Sequence, residues 1–289
     1  MRAGGIDWTE KGECHIETIG FLGGDARMAH LARLLAEDGY EVRTWSVAGA
    51  PDTGRPGEAT EAARVILPAP LAKGGRLNGT PLPLAELWPR LRPETPAYAG
   101  AVPEAERHRA EALGLRLTDY LADEALAVRN AIPTAEGALA LAMERLRVTL
   151  HGTPCLVVGF GRIGKLLARN LAALGARVSV SARKSSDLAW IEALGCAPLY
   201  TEGLAGKLGD FRAVFNTVPH MVLPESLLRE LPRDCVVIEL ASLPGVDAEA
   251  AERLGLAYIR APGLPGRYAP ETAAQAIRDT LYRIWREET

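Results

Sequence analysis

The residues of this sequence best placed to do chemistry are three glycines, Gly159, Gly161 and Gly164, within CLVVGFGRIGKLLARNLAALG. Their Gly-x-Gly-x-x-Gly spacing follows an apolar strand candidate and opens a helix candidate, and ARVSVS supplies a second strand at the expected distance. In that setting the first glycine permits a tight turn, the second lets backbone approach a pyrophosphate, and the third lets helix and strand pack closely. The helix N-terminus, with Arg162 and Ile163 in its first turn, would present N–H groups to the anion. The end of the second strand discriminates between cofactors. An acidic residue there would accept hydrogen bonds from a ribose 2′-hydroxyl, whereas this chain has Arg183, Lys184 and Ser185. Cations and a hydroxyl suit a 2′-phosphate, which the Arg183 fork can bind bidentately. NADP is the expected cofactor, with NAD less favoured.

Ligands of such sheets bind beyond the carboxyl ends of the strands, which directs attention to three further segments. In NTVPH, residues Asn216, Thr217, Val218 and Pro219 are expected beside the nicotinamide ribose. In ELASLPG, Ser242 offers a hydroxyl for cofactor or catalysis and Gly245 an unhindered backbone. In APGLPGRYAPETAA, Gly263 and Gly266 suggest a fixed loop that exposes N–H groups, and Arg267 is a candidate cation for a substrate carboxylate. The segment GGDAR, Gly23 to Arg27, precedes a helix candidate, so its N–H groups and Arg27 would receive a carboxylate from the facing wall of a cleft. Asp25 there is a candidate base or a helix cap, and His220 is a candidate proton carrier. The four cysteines, Cys14, Cys155, Cys196 and Cys235, have neither CxxC nor Cys/His spacing, so no metal site or disulfide framework is expected.

The elements that must position these groups alternate strand and helix. In the first half, apolar runs at Thr18 to Gly24, Tyr40 to Val47, Arg64 to Pro70, around Tyr98 and around Leu117 predict a small parallel sheet, with KGGRLNGTPLP as a surface loop or hairpin. An amphipathic helix is predicted to begin after Pro133, capped by Thr134, with Leu139, Met143, Leu146 and Leu150 at helical spacing. The second half offers six strands, Leu156–Gly159, Arg177–Ala182, Ala197–Tyr200, Ala213–Asn216, Val236–Leu240 and Ala257–Arg260. A final helix starting at Pro270 carries Ile277, Leu281 and Trp285 on one face and is expected to return to the N-terminal domain. The fold class is therefore α/β, with two doubly wound parallel-sheet domains joined by long helices. Residues 1–130 plus 270–289 form a flavodoxin-like substrate domain, and residues 131–269 a Rossmann dinucleotide-binding domain.

Composition narrows the class. A chain of 289 residues that is 48% hydrophobic can build two cores, and a net charge of −3 gives no long-range attraction to nucleic acid or an anionic membrane. No apolar run reaches about 18 residues and no leader pattern opens the chain, so a cytoplasmic protein is expected.

The combination of GGDAR, LPAP, RNAIPTAEGALALAMERL, HGTPCLVVGFGRIGKLLA, NTVPH, LASLPGVD and APGLPGRYAPETAA resembles the A-subunit family of dipicolinate synthases over nearly the whole length. The chain departs from that family's pattern at His220, Glu239 and Val246. The resemblance implies that a hydroxylated tetrahydrodipicolinate loses water and is oxidised with NADP to dipicolinate, a small dicarboxylate ring, in the mother cell of a sporulating bacterium. It also implies a partner, the flavoprotein-like B subunit, in a homo- or hetero-oligomer. Two other classes stay open on the residues alone. One is a two-domain NAD(P)-dependent dehydrogenase of hydroxy or amino acids; the other is a non-catalytic, NADP-sensing regulatory subunit.

Overall fold

The computed structural model describes residues 6–8 and 14–288. The chain divides into two compact units, Met1–Arg129 with Ala269–Thr289, and Asn130–Tyr268. Short runs rich in apolar and β-branched residues form the strands of both, and both main sheets are parallel throughout.

In the first unit, β1 (Thr18–Leu22), β2 (Glu41–Trp45), β3 (Arg64–Ile66), β4 (Ala97–Ala99) and β5 (Leu117–Asp119) are arranged in the order β2-β1-β3-β4-β5. This is the doubly wound order of flavodoxin-like sheets. Side chains alternate between the two faces along each strand. Ile19, Phe21 and Ile66 join one core, whereas Leu22, Val65 and Leu67 join the other with Leu87 and Trp88. The first core is closed by α1 (Ala26–Glu37), through Met28, Leu31 and Leu35, and by the C-terminal helix, through Ile277, Leu281 and Trp285. A hairpin pairs Ala72–Lys73 with Arg76–Leu77, starting one residue before the segment expected to be a loop or hairpin.

One element differs from expectation. The long helix α2 runs Glu124–Arg145 and passes through Pro133 instead of starting after it. Its start is fixed by Asp123, whose Oδ1 accepts the Leu126 N–H at 2.8 Å. Proline removes one ladder donor, but the apolar face carrying Ala131, Ala135, Ala138 and Leu139 is buried on both sides of it, and that burial outweighs a single missing bond. Thr134 is no cap; its hydroxyl donates back to the Asn130 carbonyl at 2.7 Å.

The second unit contains β6 (Pro154–Val158), β7 (Arg177–Ala182), β8 (Ala197–Tyr200), β9 (Ala213–Asn216), β10 (Val236–Glu239) and β11 (Ala257–Arg260) in the order β8-β7-β6-β9-β10-β11. This is the Rossmann arrangement, with its switch point between β6 and β9. The central strands β6, β7, β9 and β10 are largely buried, whereas the edge strands β8 and β11 are partly exposed. Cys155, Val157, Val180, Phe215 and Ile238 enter one core, and Leu156, Val158, Val214 and Val237 the other. Of the helices that cover them, two matter for the site, α3 (Arg162–Ala173) after β6 and α4 (Ser185–Ala193) after β7.

Candidate dinucleotide site

At the switch point the three glycines have three different physical reasons. Gly159 has φ +99°, and a Cβ there would lie 2.5 Å from Thr217 Oγ1. Gly164, inside α3, comes so close to β6 that a Cβ would lie 2.1 Å from the Gly159 carbonyl oxygen. Gly161 is the N-cap of α3 with an ordinary φ of −82°, and a Cβ there meets nothing within 4 Å. Its missing side chain therefore leaves open space directly before a helix N-terminus that no side chain caps. Arg162 and Ile163 supply the first helical N–H groups at that end. A pyrophosphate fits this arrangement: its charge meets the positive end of the helix and its bulk fills the space at Gly161.

The space is part of an open pocket of about 410 Å³ that continues to the end of β7 and to the loop after β9. At the first of these ends, buried Ala182 is followed by exposed Arg183, Lys184 and Ser185. Arg183 and Lys184 line the pocket, as does Asp187 from the first turn of α4. Ser185 is outside the lining. At the other end, Thr217, Val218, Pro219 and His220 line it, with His220 exposed at the rim. The Thr217 hydroxyl donates to the Val158 carbonyl at 2.9 Å and ties this loop to β6.

Asn216, expected beside the cofactor, is instead completely buried. Its Nδ2 donates to the Val218 carbonyl at 3.0 Å and to Glu239 Oε1 at 2.8 Å, and its Oδ1 accepts the Val218 N–H at 3.1 Å. Its role is to shape the loop from below. Glu239 is equally buried and receives three backbone donors besides: Ala241 N at 3.0 Å on Oε1, and Gly245 N at 2.7 Å and Val246 N at 3.0 Å on Oε2. A buried carboxylate is tolerated when its lone pairs are satisfied in this way. Gly245 is consequently not an open backbone for a ligand. Its N–H is committed to Glu239, and its missing Cβ leaves room for Asn216 Nδ2, 2.4 Å from where that atom would be. Ser242 stands on the exposed crest of the same loop and does not line the pocket.

The groups expected to hold a substrate carboxylate are also differently employed. Asp25 is the N-cap of α1, accepting the Arg27 N–H at 3.1 Å. Its carboxylate is further bound by the Arg27 guanidinium, Nε at 2.9 Å and Nη2 at 2.8 Å, and Nη2 also donates to the Ala69 carbonyl. Burial opposes the charge of Arg27, yet hydrogen bonding and ion pairing with Asp25 outweigh it and raise the pKa further. A buried cation requires such neutralisation, so the arginine is closed onto its neighbour. The Gly23 and Gly24 N–H groups are bound by the Trp45 and Asn78 carbonyls at 2.9 and 2.8 Å. In the second unit, Gly263 has φ +70° and begins the short helix Leu264–Tyr268, in which the Gly266 N–H donates to the Gly263 carbonyl at 3.1 Å, so this is no loop of exposed donors. Arg267 is exposed, its guanidinium 5.1 Å from the Tyr268 ring centroid.

The sequence marked Glu239 only as a departure from the family pattern and gave Asp187 no role. Glu239 left a signal, an acidic residue closing the buried apolar run VVIE. Asp187 left a weaker one, its place four residues beyond Arg183. Among the described residues no His/Cys/Asp/Glu group has the makings of a metal site, and no helix is long and apolar enough to cross a membrane.

Residues 18–121 match the family model for the N-terminal domain of the dipicolinate synthase A-subunit. The A-subunit of dipicolinate synthase from Bacillus subtilis (strain 168) is 40% identical over 163 residues, 56% of this chain and 55% of that protein, so the match spans about half the length of the curated relative. The crystal structure of the A-subunit of dipicolinate synthase from Bacillus halodurans superposes with a TM-score of 0.81 at 29% identity, over 93% of this chain and 97% of that one. The corresponding Bacillus subtilis structure gives 0.79 at 29% identity, over 94% and 97%. An L-alanine dehydrogenase, with a TM-score of 0.64 at 15% identity over 91% of this chain and 88% of its own, shares the fold alone.

Proposed function

On the premise that this chain is similar to the dipicolinate synthase A-subunit in both of its units, we propose that it binds NADP in the pocket at β6 and takes part in the oxidation that forms dipicolinate. The observation that carries this reading is the conjunction of an open Gly161 at an uncapped helix end with Arg183 and Lys184 along the same pocket. The substrate is a hydroxylated tetrahydropyridine dicarboxylate; it loses water, and the resulting dihydropyridine loses a hydride and a proton to become aromatic. NADP, when bound, supplies the hydride acceptor.

The chain's own residues do the rest. The α3 N-terminus and the Gly161 backbone hold the pyrophosphate, and the Arg183 fork and Lys184 hold the 2′-phosphate. Val218 and Pro219 line the pocket where the nicotinamide ring would be held, and Asn216, bonded to Glu239, keeps their loop in place from beneath. His220, at the rim, takes the proton released on aromatisation. Arg267 is the remaining candidate anchor for a ring carboxylate, because Arg27 is closed onto Asp25. Aromatisation itself drives the reaction forward, so no activated nucleophile is required.

The test incubates the isolated chain with NADP and the hydroxylated intermediate, with and without the flavoprotein-like second subunit, following NADPH and pyridine absorbance. Formation of both products supports the reading, and whether the second subunit is needed for it defines the division of labour. NADPH formed in neither mixture refutes it. One observation favours a second reading, a non-catalytic NADP-binding subunit: the imidazole of His220 has no acid–base partner among the residues lining the pocket.

A further inference from the structure

A pocket read as holding a 2′-phosphate has a carboxylate in the same lining. Asp187 is the third residue of α4; its N–H donates to the Lys184 carbonyl at 3.0 Å, and its half-buried side chain faces the pocket together with Arg183 and Lys184. Among the described residues its carboxylate has no hydrogen-bond or ion-pair partner, although two cations lie three and four positions away in the chain. The end of the second Rossmann strand is where the ribose 2′ substituent lies, and here that strand ends at Ala182, which lines the same part of the pocket.

We propose that Asp187 is a specificity-determining residue that restrains the preference for NADP and keeps the pocket usable by NAD. The proposal rests on the reading of this pocket as a dinucleotide site. A carboxylate accepts hydrogen bonds from the 2′- and 3′-hydroxyls of NAD, and Arg183 and Lys184 pair with the 2′-phosphate of NADP. Each dinucleotide therefore meets one favourable and one indifferent or repelling group. With NADP bound, the like charges of Asp187 and the phosphate oppose the two cations, and partial solvent screening keeps that opposition modest. The bland role of an acidic residue in a first helical turn is to stabilise the helix through its dipole. Loss of that role would move the affinities of both dinucleotides in one direction, whereas loss of a 2′-selective contact moves them in opposite directions.

The experiment titrates the whole chain with NADP and with NAD by calorimetry, for the wild type, Asp187→Asn and Asp187→Ser. The expected result is crossed: both variants bind NADP about threefold to tenfold more tightly and NAD at least about threefold more weakly. Two substitutions guard against a local folding defect in either one, and a thermal melt accompanies each. Equal affinities in wild type and variants, or a change of the same sign for both dinucleotides, overturns the role of Asp187. A wild-type chain that binds neither dinucleotide overturns the reading of the pocket itself. The two failures are distinguishable because one appears in the variants and the other before any substitution is made.

Discussion

Replacing Gly161 by valine separates binding from folding in a way that few glycine substitutions allow. Gly161 has a φ of −82°, which any residue adopts, and its Cβ position has nothing within 4 Å. The folded chain accepts the side chain without strain, and the cost is that of a poorer N-cap residue, about 1 kcal/mol. The ligand does not accept it, because a branched side chain occupies the place of the pyrophosphate and withdraws it from the N–H groups of α3. Losing one or two charge-assisted hydrogen bonds of about 1.5–3 kcal/mol each gives a deficit of about 3 kcal/mol, more than a hundredfold in affinity. Calorimetric titration with NADP, beside a circular-dichroism melt, measures both quantities. Gly164→Val is the control of opposite character, since its Cβ would lie 2.1 Å from the Gly159 carbonyl oxygen and the damage falls on helix–strand packing. A folded Gly161→Val chain that binds NADP as well as the wild type would refute the pyrophosphate assignment and leave the fingerprint a structural turn.

Wild-type NADP affinity is expected to exceed NAD affinity by at least about tenfold, or 1.4 kcal/mol, and Arg183→Ala to remove most of that gap without changing the melting temperature; an unchanged ratio in titrations would place the phosphate elsewhere. Glu239→Gln must turn an amide NH2 toward two of the four N–H groups that now meet the carboxylate, so a loss of about 2–4 kcal/mol is expected in denaturant unfolding, and one below about 1 kcal/mol would show that the loop does not depend on this anion. Burial pushes the Cys155 and Cys235 thiols from 9.0 up to about 12. The unfolded chain releases these protons above pH 9.0 while the fold retains them, so their contribution to stability is complete below pH 9.0 and is lost as pH rises through about 12. Denaturant midpoints should fall over that range, and fall less in the double Cys→Ala variant. Arg267→Met, at an exposed position, should weaken dipicolinate binding by more than about tenfold with NADP affinity unchanged; calorimetry showing full affinity would exclude it as the carboxylate anchor.

The backbone was legible because the central strands of both sheets are buried on two faces, and doubly covered parallel strands appear as short apolar runs. Of the six strands of the second unit, four have the predicted limits, and those starting at Pro154 and Val236 differ by one or two residues at their ends. Pro133 misled because a proline is a local signal, and the buried alanine and leucine face that keeps the helix continuous through it is a tertiary one. The same division governs the site. Gly159 and Gly164 could be understood from spacing, since their constraints come from the turn they build. Asn216, Gly245 and Arg27 were recognised as important but given the wrong task, because residue type does not reveal which partner a donor meets. Asn216 and Gly245 face Glu239 across the ends of two strands, and Arg27 folds back on the residue that caps its own helix. A carboxylate that gathers three donors from a loop still to be formed and a fourth from a neighbouring strand end has no periodicity to betray it.

The first unit is built from both ends of the described chain, whereas residues 130–268 of the second are contiguous. On a ribosome this order has a consequence. When residue 129 has emerged, Met28, Leu31 and Leu35 have their sheet beneath them but lack Ile277, Leu281 and Trp285, the side chains that cover them in the finished protein. Each of those is worth about 1.5–3 kcal/mol when buried. At about 5–20 residues per second the second unit is synthesised in full before the covering helix arrives. The nascent protein must therefore carry an apolar groove on α1 through the whole interval, a surface open to chaperones or to other nascent chains. Of the two units, the one begun first is completed last.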